Sequence, residues 1–233
     1  MNDHHDHPAV SDTDAWGAAL RDHMDGHAVP IPTLDVEDGP SVPAYHPEWF
    51  FRDEPEWSWW ERQLVAEVTA GPVLDLGAGA GRVALHLQGR GLAVTAVDAS
   101  PGAVEVCRRR GVHDVRLGDL ADPPVDRRWQ AILLLCGNLG LGGSWEGNRR
   151  LLRRLAAISA PGAVLVGDSV DGGPRPEIRL RIRHGQLVGE WWSQRNVAAD
   201  EVPALVRDTG WGVERHVVDG DDHGVLLRRS DEI

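Results

Sequence analysis

Residues 73 to 82 read VLDLGAGAGR, a buried-strand pattern that takes in Asp75 and then breaks into three glycines, Gly77, Gly79 and Gly81. A carboxylate inside an apolar run is costly unless something pairs with it. Three glycines within five positions remove the side chains that would keep a ligand from the backbone. A strand that feeds such a turn and then a helix aims backbone N–H groups and the positive helix end at one point in space. The segment therefore predicts an α/β fold with a ligand site at the carboxyl edge of its sheet.

The rest of the chain agrees with that reading. Short apolar, β-branched stretches at 72–76, 92–98, 113–117, 130–136 and 162–168 alternate with helical patterns near 80–90, 101–110 and 146–159. Alternation of this kind predicts a mostly parallel sheet covered on both faces. Upstream, Asp53 caps a helix with Pro55 in its first turn, and Trp57, Trp60, Leu64 and Val68 form its apolar stripe. Downstream, EIRLRIRHGQLVGEWWSQ alternates Ile178, Leu180 and Ile182 with Arg179, Arg181 and Arg183, which predicts a hairpin turning near His184-Gly185. The arginine face is expected in solvent, paired with Glu190 across the hairpin. A helix at 200–209 and strands near 211–217 and 223–228 complete the chain. The expected division is a poorly ordered acidic leader over 1–44, with one short helix around Trp16 to Met24, a lid over 45–71, and a main domain over 72–233 with a hairpin insertion at about 175–195.

Charge and composition narrow the function. Of the net charge of −12, residues 1–48 carry −9 and the remaining 185 residues only −3, which argues against nucleic acid as a partner. All 24 cationic residues are arginine, so lysine Schiff bases and P-loop lysines are excluded. No apolar run approaches the length of a membrane span, and no secretory leader is visible. Cys107 and Cys136 are read as reduced thiols in a cytoplasmic protein. The His-rich stretch at 4–7 is read as adventitious, and no metal is expected.

Three aspartates sharpen the site. Asp75 precedes the glycines, Asp98 ends the second strand (LAVTAVD), and Asp119 follows the third (VRLGDL). Successive strand ends of a parallel sheet share one edge, and an acidic residue at the second can accept both hydroxyls of a ribose. The looser dinucleotide pattern G-x-G-x-x-A also fits from Gly79 to Ala84, but an NAD site leaves Asp75 and the GDL segment unexplained.

VLDLGAGAGR, VTAVDAS, VRLGDLAD and ILLLCGNLGLGG, in this order and spacing, resemble the motifs of the class I S-adenosylmethionine-dependent methyltransferases over residues 70 to 228. The resemblance implies a Rossmann-like seven-stranded sheet with its last strand antiparallel, and S-adenosyl-L-methionine as cofactor. It places the cofactor's methionine part along Asp75, Gly77, Ala78, Gly79 and Gly81, the ribose at Asp98 and Ala99, and the adenine at Asp119 and Leu120, with Cys136 also beside the cofactor. Asn138 is followed by Leu-Gly rather than the Pro-Pro-aromatic of enzymes that methylate base or glutamine amino groups. Cys136 stands where metal-dependent catechol enzymes supply a carboxylate. A small-molecule acceptor is expected beyond the fourth and fifth strands, with Asn138, Asp168, His46, Tyr45, His184, Trp191 and Trp192 as candidates to meet it. Use of the cofactor at another sulfonium carbon, and a non-catalytic binding subunit, are the alternative readings.

Overall fold

A computed structural model describes residues 13–27 and 30–230 of the chain. Seven strands form the main sheet in the order β11-β12-β7-β6-β3-β4-β5. Their ranges are β3 Val73–Leu76, β4 Val94–Asp98, β5 Asp114–Leu117, β6 Trp129–Leu134, β7 Ser159–Val170, β11 Trp211–Asp219 and β12 Asp222–Arg229. The pairs among β3 to β7 are parallel, whereas β12 lies antiparallel to both β7 and β11. The crossovers are α3 (Arg82–Gly89), α4 (Pro101–Arg109) and α5 (Trp145–Ile158), with α2 (Trp59–Ala66) before β3 and α6 (Val202–Val206) before β11.

Each face of this sheet carries its own apolar layer. Trp60 and Leu64 of α2 pack with Val83, Leu87 and Val104 on one side, and Leu152, Leu155, Val202 and Leu205 pack with Trp211 on the other. A fully buried leucine contributes roughly 1.5–3 kcal/mol, so these layers fix the sheet on which the site is built.

The helix expected from Asp53 begins later. Glu54–Glu56 form a single 3-10 turn, and the Trp57 indole donates to the Arg52 carbonyl at 3.0 Å with Trp57 itself extended. The cap of α2 is Ser58, whose hydroxyl accepts from the Glu61 amide; Asp53 makes no capping hydrogen bond.

The larger correction concerns residues 13–44, which were expected to be a poorly ordered leader. The helix expected around Trp16 to Met24 is present as α1 (Ala15–Met24), and it is docked. Its cap, Asp14, accepts from the Gly17 amide at 2.9 Å and also from the Ser100 hydroxyl at 2.7 Å and the Gly102 amide at 2.8 Å, so one buried carboxylate ties α1 to the start of α4. Gly17 and Gly102 let the two backbones meet; a Cβ on Gly102 would lie 2.6 Å from the Gly17 Cα. The residues at 4–7 lie outside those described.

The segment then forms β1 (Thr33–Val36) and β2 (Val42–Pro43). β1 adds antiparallel to β8 (Glu177–His184), giving a second sheet in the order β10-β8-β1-β2, with β9 (Leu187–Val188) also on β8 and β10 spanning Trp192–Arg195. The hairpin arginines pair not with Glu190 but with β1 and its exit. Arg181 and Arg183 both donate to the Asp35 carboxylate, at 2.8 and 2.6 Å, and Arg179 donates to Glu37 at 2.6 Å.

Candidate functional site

The carboxyl ends of β3, β4, β5 and β6 open onto one edge of the main sheet, and the glycine turn lies at its centre. Gly77 has φ +76°, and a Cβ there would strike the Asn138 side-chain amide. That amide donates to the Leu76 carbonyl at 3.0 Å, so Asn138 clamps the turn rather than standing free for an acceptor. The backbone at Gly79 (φ +57°) passes close beneath the Phe50 ring. Two residues that sequence reasoning missed hold the turn from the far side. The Cys107 thiol donates to the Gly79 carbonyl at 3.1 Å, and Arg110 donates to the Ala80 carbonyl at 2.7 Å. No local pattern marks them, because both lie on α4 or at its end, remote in sequence from the turn they hold.

Asp98 ends β4 beside this turn. One of its oxygens accepts from the Gly79 amide (2.8 Å) and the other from the Ser100 amide (2.9 Å). Burial pushes its carboxyl up to about 6 despite those amides. Ala99 next to it is exposed, whereas Ala78 packs against the core. Asp119 is exposed and folds over the Ala121 amide at 2.9 Å. With Leu120 it lines a cavity of about 300 Å³, closed on the other side by Leu141, Leu151 and the stems of Arg150 and Arg154.

Behind the turn lies a group of buried charges. Burial pushes Asp75 up to about 7, with Arg82 opposing the rise. Arg82 itself pairs with Glu61 of α2 at 2.6 Å, reaches the Cys136 sulfur at 3.7 Å and lies over the Trp57 ring. Cys136 adopts a left-handed φ of +62°, and burial pushes its thiol up to about 12. Asp168, near the end of β7, accepts from the Gly137 amide through Oδ2 at 2.9 Å, while its buried Oδ1 has no partner. Burial pushes this carboxyl up to about 7 as well.

The remaining acceptor-side candidates separate. Tyr45 is about half exposed; local desolvation at its phenol end, with Cys136, Asp168 and Asp222, pushes the hydroxyl up, which puts that end on the Asp168 side of the edge while the ring packs on Phe50 and Trp49. His46 caps the turn Pro47–Phe51 by accepting from the Glu48 amide. His184 is buried against Asp22 of α1 at 2.8 Å, which makes it a tie between α1 and β8 rather than a base. Trp191 stacks with Arg181 and Arg179 on the second sheet, and the Trp192 indole meets Gln194. The insertion instead approaches the edge through Gln194 and Arg195, which lie against Gly137 and Gly140. The sequence offers Trp191 and Trp192 only by their place on the hairpin, and strand register decides which side chains of it approach the edge.

Residues 73–162 match the model of a methyltransferase domain family. A SAM-dependent methyltransferase from Bacteroides fragilis, solved in complex with S-adenosyl-L-homocysteine, matches with a TM-score of 0.82 and 26% identity, over 94% of this chain and 96% of that one. Residues 73–162 thus carry a methyltransferase domain, and the chain as a whole shares the fold of a SAM-dependent methyltransferase. The CcbJ methyltransferase from Streptomyces caelestis (TM-score 0.61, 17% identity, 72% and 93% of the two chains) shares the fold. So does the sugar N-methyltransferase KedS8 from Streptoalloteichus (0.58, 18%, 83% and 96%). No curated protein matches the chain.

For a methyltransferase, the arrangement fits the cofactor on two structural grounds. The glycine turn is a cradle that side chains would fill, and the Asp98 carboxylate keeps lone pairs beyond the two amides it accepts. The cavity beside Asp119 and Leu120 continues the same edge. Among the described residues there is no cluster of three or more metal-ligating side chains, and no helix is long and apolar enough to cross a membrane.

Proposed function

We propose that the protein methylates a small-molecule acceptor, with S-adenosyl-L-methionine held along the edge from Asp75 to Leu120. When bound, the cofactor supplies an activated methyl group on a sulfonium. The chain's own part is to hold and align. Asp98 accepts the ribose hydroxyls, Leu120 and Leu151 sandwich the adenine in the cavity, and Gly77, Ala78, Gly79 and Gly81 leave room for the methionine part along the backbone. Ala99 and Cys136 border the same groove. Alignment of this kind is worth roughly 7–11 kcal/mol of barrier in favourable cases. Residues 45–71 serve as the lid on this reading, with Tyr45 and Phe50 over the turn.

The observation that carries the proposal is the continuity of glycine turn, Asp98 and cavity along one sheet edge. A small-molecule acceptor is supported by the neighbours, which include a sugar N-methyltransferase and an amino pentose methyltransferase. Both cysteines are free, which suits a reducing, cytoplasmic setting. Calorimetry with S-adenosylhomocysteine tests the core of the reading. Micromolar binding that weakens at least about 100-fold in Asp98→Ala supports it, because two charge-assisted hydrogen bonds at roughly 1.5–3 kcal/mol each are removed. Binding of NAD in place of S-adenosylhomocysteine would overturn it.

A further inference from the structure

Two acceptor-side candidates carry a buried polar atom without a partner, His184 Nδ1 and Asp168 Oδ1, and of the two His184 is drawn away to Asp22 while Asp168 stays at the sheet edge. Its Oδ2 accepts from the Gly137 amide, the Cys136 amide lies close enough to favour the charged carboxylate as well, and its Oδ1, sealed from solvent, completes no hydrogen bond. Such an oxygen costs stability until a ligand supplies a donor. The groups around it come from every neighbouring element. Glu61 of α2, Arg82 of α3, Cys136 beyond β6 and Tyr45 of the N-terminal segment all lie within electrostatic reach, and Asp75 shares the same Arg82. Three buried carboxylates, those of Asp75, Asp168 and Glu61, thus face a single guanidinium, and Arg82 is already paired with Glu61 at 2.6 Å.

We propose that this chamber selects an amine as the methyl acceptor, with Asp168 Oδ1 receiving the acceptor's N–H and then its proton. The inference rests on the cofactor reading above. The field of the chamber distinguishes acceptor chemistries. An oxygen nucleophile develops negative charge as it loses its proton, which the carboxylates opposite a single Arg82 disfavour; at the Tyr45 phenol, Asp168 and Asp222 add to the upward push of burial. An amine arrives as an ammonium ion, which excess carboxylate favours, and its product is again a cation. The Tyr45 ring, packed on Trp49 and within electrostatic reach of Asp168, adds a further preference for a cation over an alcohol.

The step balances without another reagent. The ammonium gives one proton to Asp168 Oδ1, leaving a neutral amine and a carboxylic acid. The nitrogen lone pair becomes the new N–C bond as the C–S bond breaks, and that electron pair stays on sulfur. The product leaves as a methylammonium, and Asp168 returns its proton to solvent. With its carboxyl raised to about 7, Asp168 can exchange a proton with an ammonium near neutral pH, where an ordinary carboxylate would hold it too weakly.

The test uses the full chain saturated with S-adenosylhomocysteine and two probes of equal shape, benzylamine and benzyl alcohol. Calorimetry at pH 8 is expected to show at least 10-fold tighter binding of the amine in the wild type. That preference should disappear in Asp168→Asn, with S-adenosylhomocysteine affinity unchanged. Radiolabelled methyl transfer to benzylamine should rise with pH through about 7 and fall roughly 100-fold in Asp168→Asn, with partial recovery and a shifted profile in Asp168→Glu. Equal or absent binding of the two probes, or an amine preference that survives in Asp168→Asn, overturns the proposal. Loss of S-adenosylhomocysteine binding by the wild type instead overturns the cofactor reading, which separates the two failures.

Discussion

The two sheets treat their carboxylates in opposite ways. At the edge of the seven-stranded sheet, Asp75 and Asp168 are buried and Asp98 is half-buried, and desolvation raises them to about 7, 7 and 6 although Asp98 accepts two amides. In the second sheet, hydrogen bonds from Arg181, Ser41 and Arg183 hold Asp35 down to about 2. One region stores unmet electrostatic demand and the other is satisfied. Unmet demand of this kind suits a place where ligands arrive, whereas the satisfied sheet only has to hold its position.

Because the shifts differ in sign, pH separates the two regions most strongly. Carboxyls raised in the folded state contribute stability that is fully present below their unfolded value near 4 and is lost as pH rises through 6 to 7. Asp35 contributes stability that is present above that value and is lost as pH falls toward 2. Asp168→Asn should therefore stabilise the protein at pH 8 relative to pH 5, by something on the order of 2–3 kcal/mol. Urea midpoints at the two pH values check this; an unchanged pH slope would show that no buried ionisation is present at Asp168. The stabilised variant would be the one expected to lose amine transfer, a direct trade of stability against function.

A smaller effect is expected at the join between the regions. Asp14→Ala removes a buried acceptor shared by the Gly17 amide, the Ser100 hydroxyl and the Gly102 amide, for a loss of about 1–2 kcal/mol. Asp98 follows β4 and is bonded to the Ser100 amide. Asp14→Ala should therefore also weaken S-adenosylhomocysteine binding a few-fold, read by calorimetry beside the unfolding curve. No change in either would mean that α1 is not part of the framework of the site.

The smallest effect belongs to the satisfied sheet. Asp35→Asn weakens its pairs with Arg181 and Arg183, which are partly exposed. A fall in melting temperature of a few degrees at neutral pH, vanishing near pH 2, is expected, with S-adenosylhomocysteine binding unaffected. Weakened cofactor binding in this variant would show that the second sheet supports the site directly and would remove the contrast between the two sheets.

How much of this was legible depends on sequence distance. β3 to β7 follow one another with a helix between most neighbours, so period-2 and period-3.6 patterns placed them within a few residues. The glycine turn, Asp75, Asp98 and Asp119 declared themselves because strand ends carry polar residues only for local reasons or for a ligand. The second sheet pairs Leu34 with Ile182, across nearly the whole chain, and nothing local in residues 33–36 announces that partner. Asp14 read as an acidic residue among many in a charged leader; its three donors include two from α4 and the residue before it. The acidic, His- and Pro-rich composition of that leader pointed to disorder because composition is blind to docking.

The residues alone therefore placed the parallel strands, the helices between them and the edge where a ligand belongs, because those follow from patterns local in the chain; the order of the strands, with β3 beside β6, does not. Tertiary structure alone decided which candidates meet at that edge. It turned Asn138 inward to clamp the glycine turn, drew His184 away to Asp22, carried Trp191 onto the arginines of the outer sheet, and left Asp168 with one oxygen unpaired. Hydrogen-bond partners and burial depend on which distant segments arrive beside a side chain, and that is information no local pattern contains.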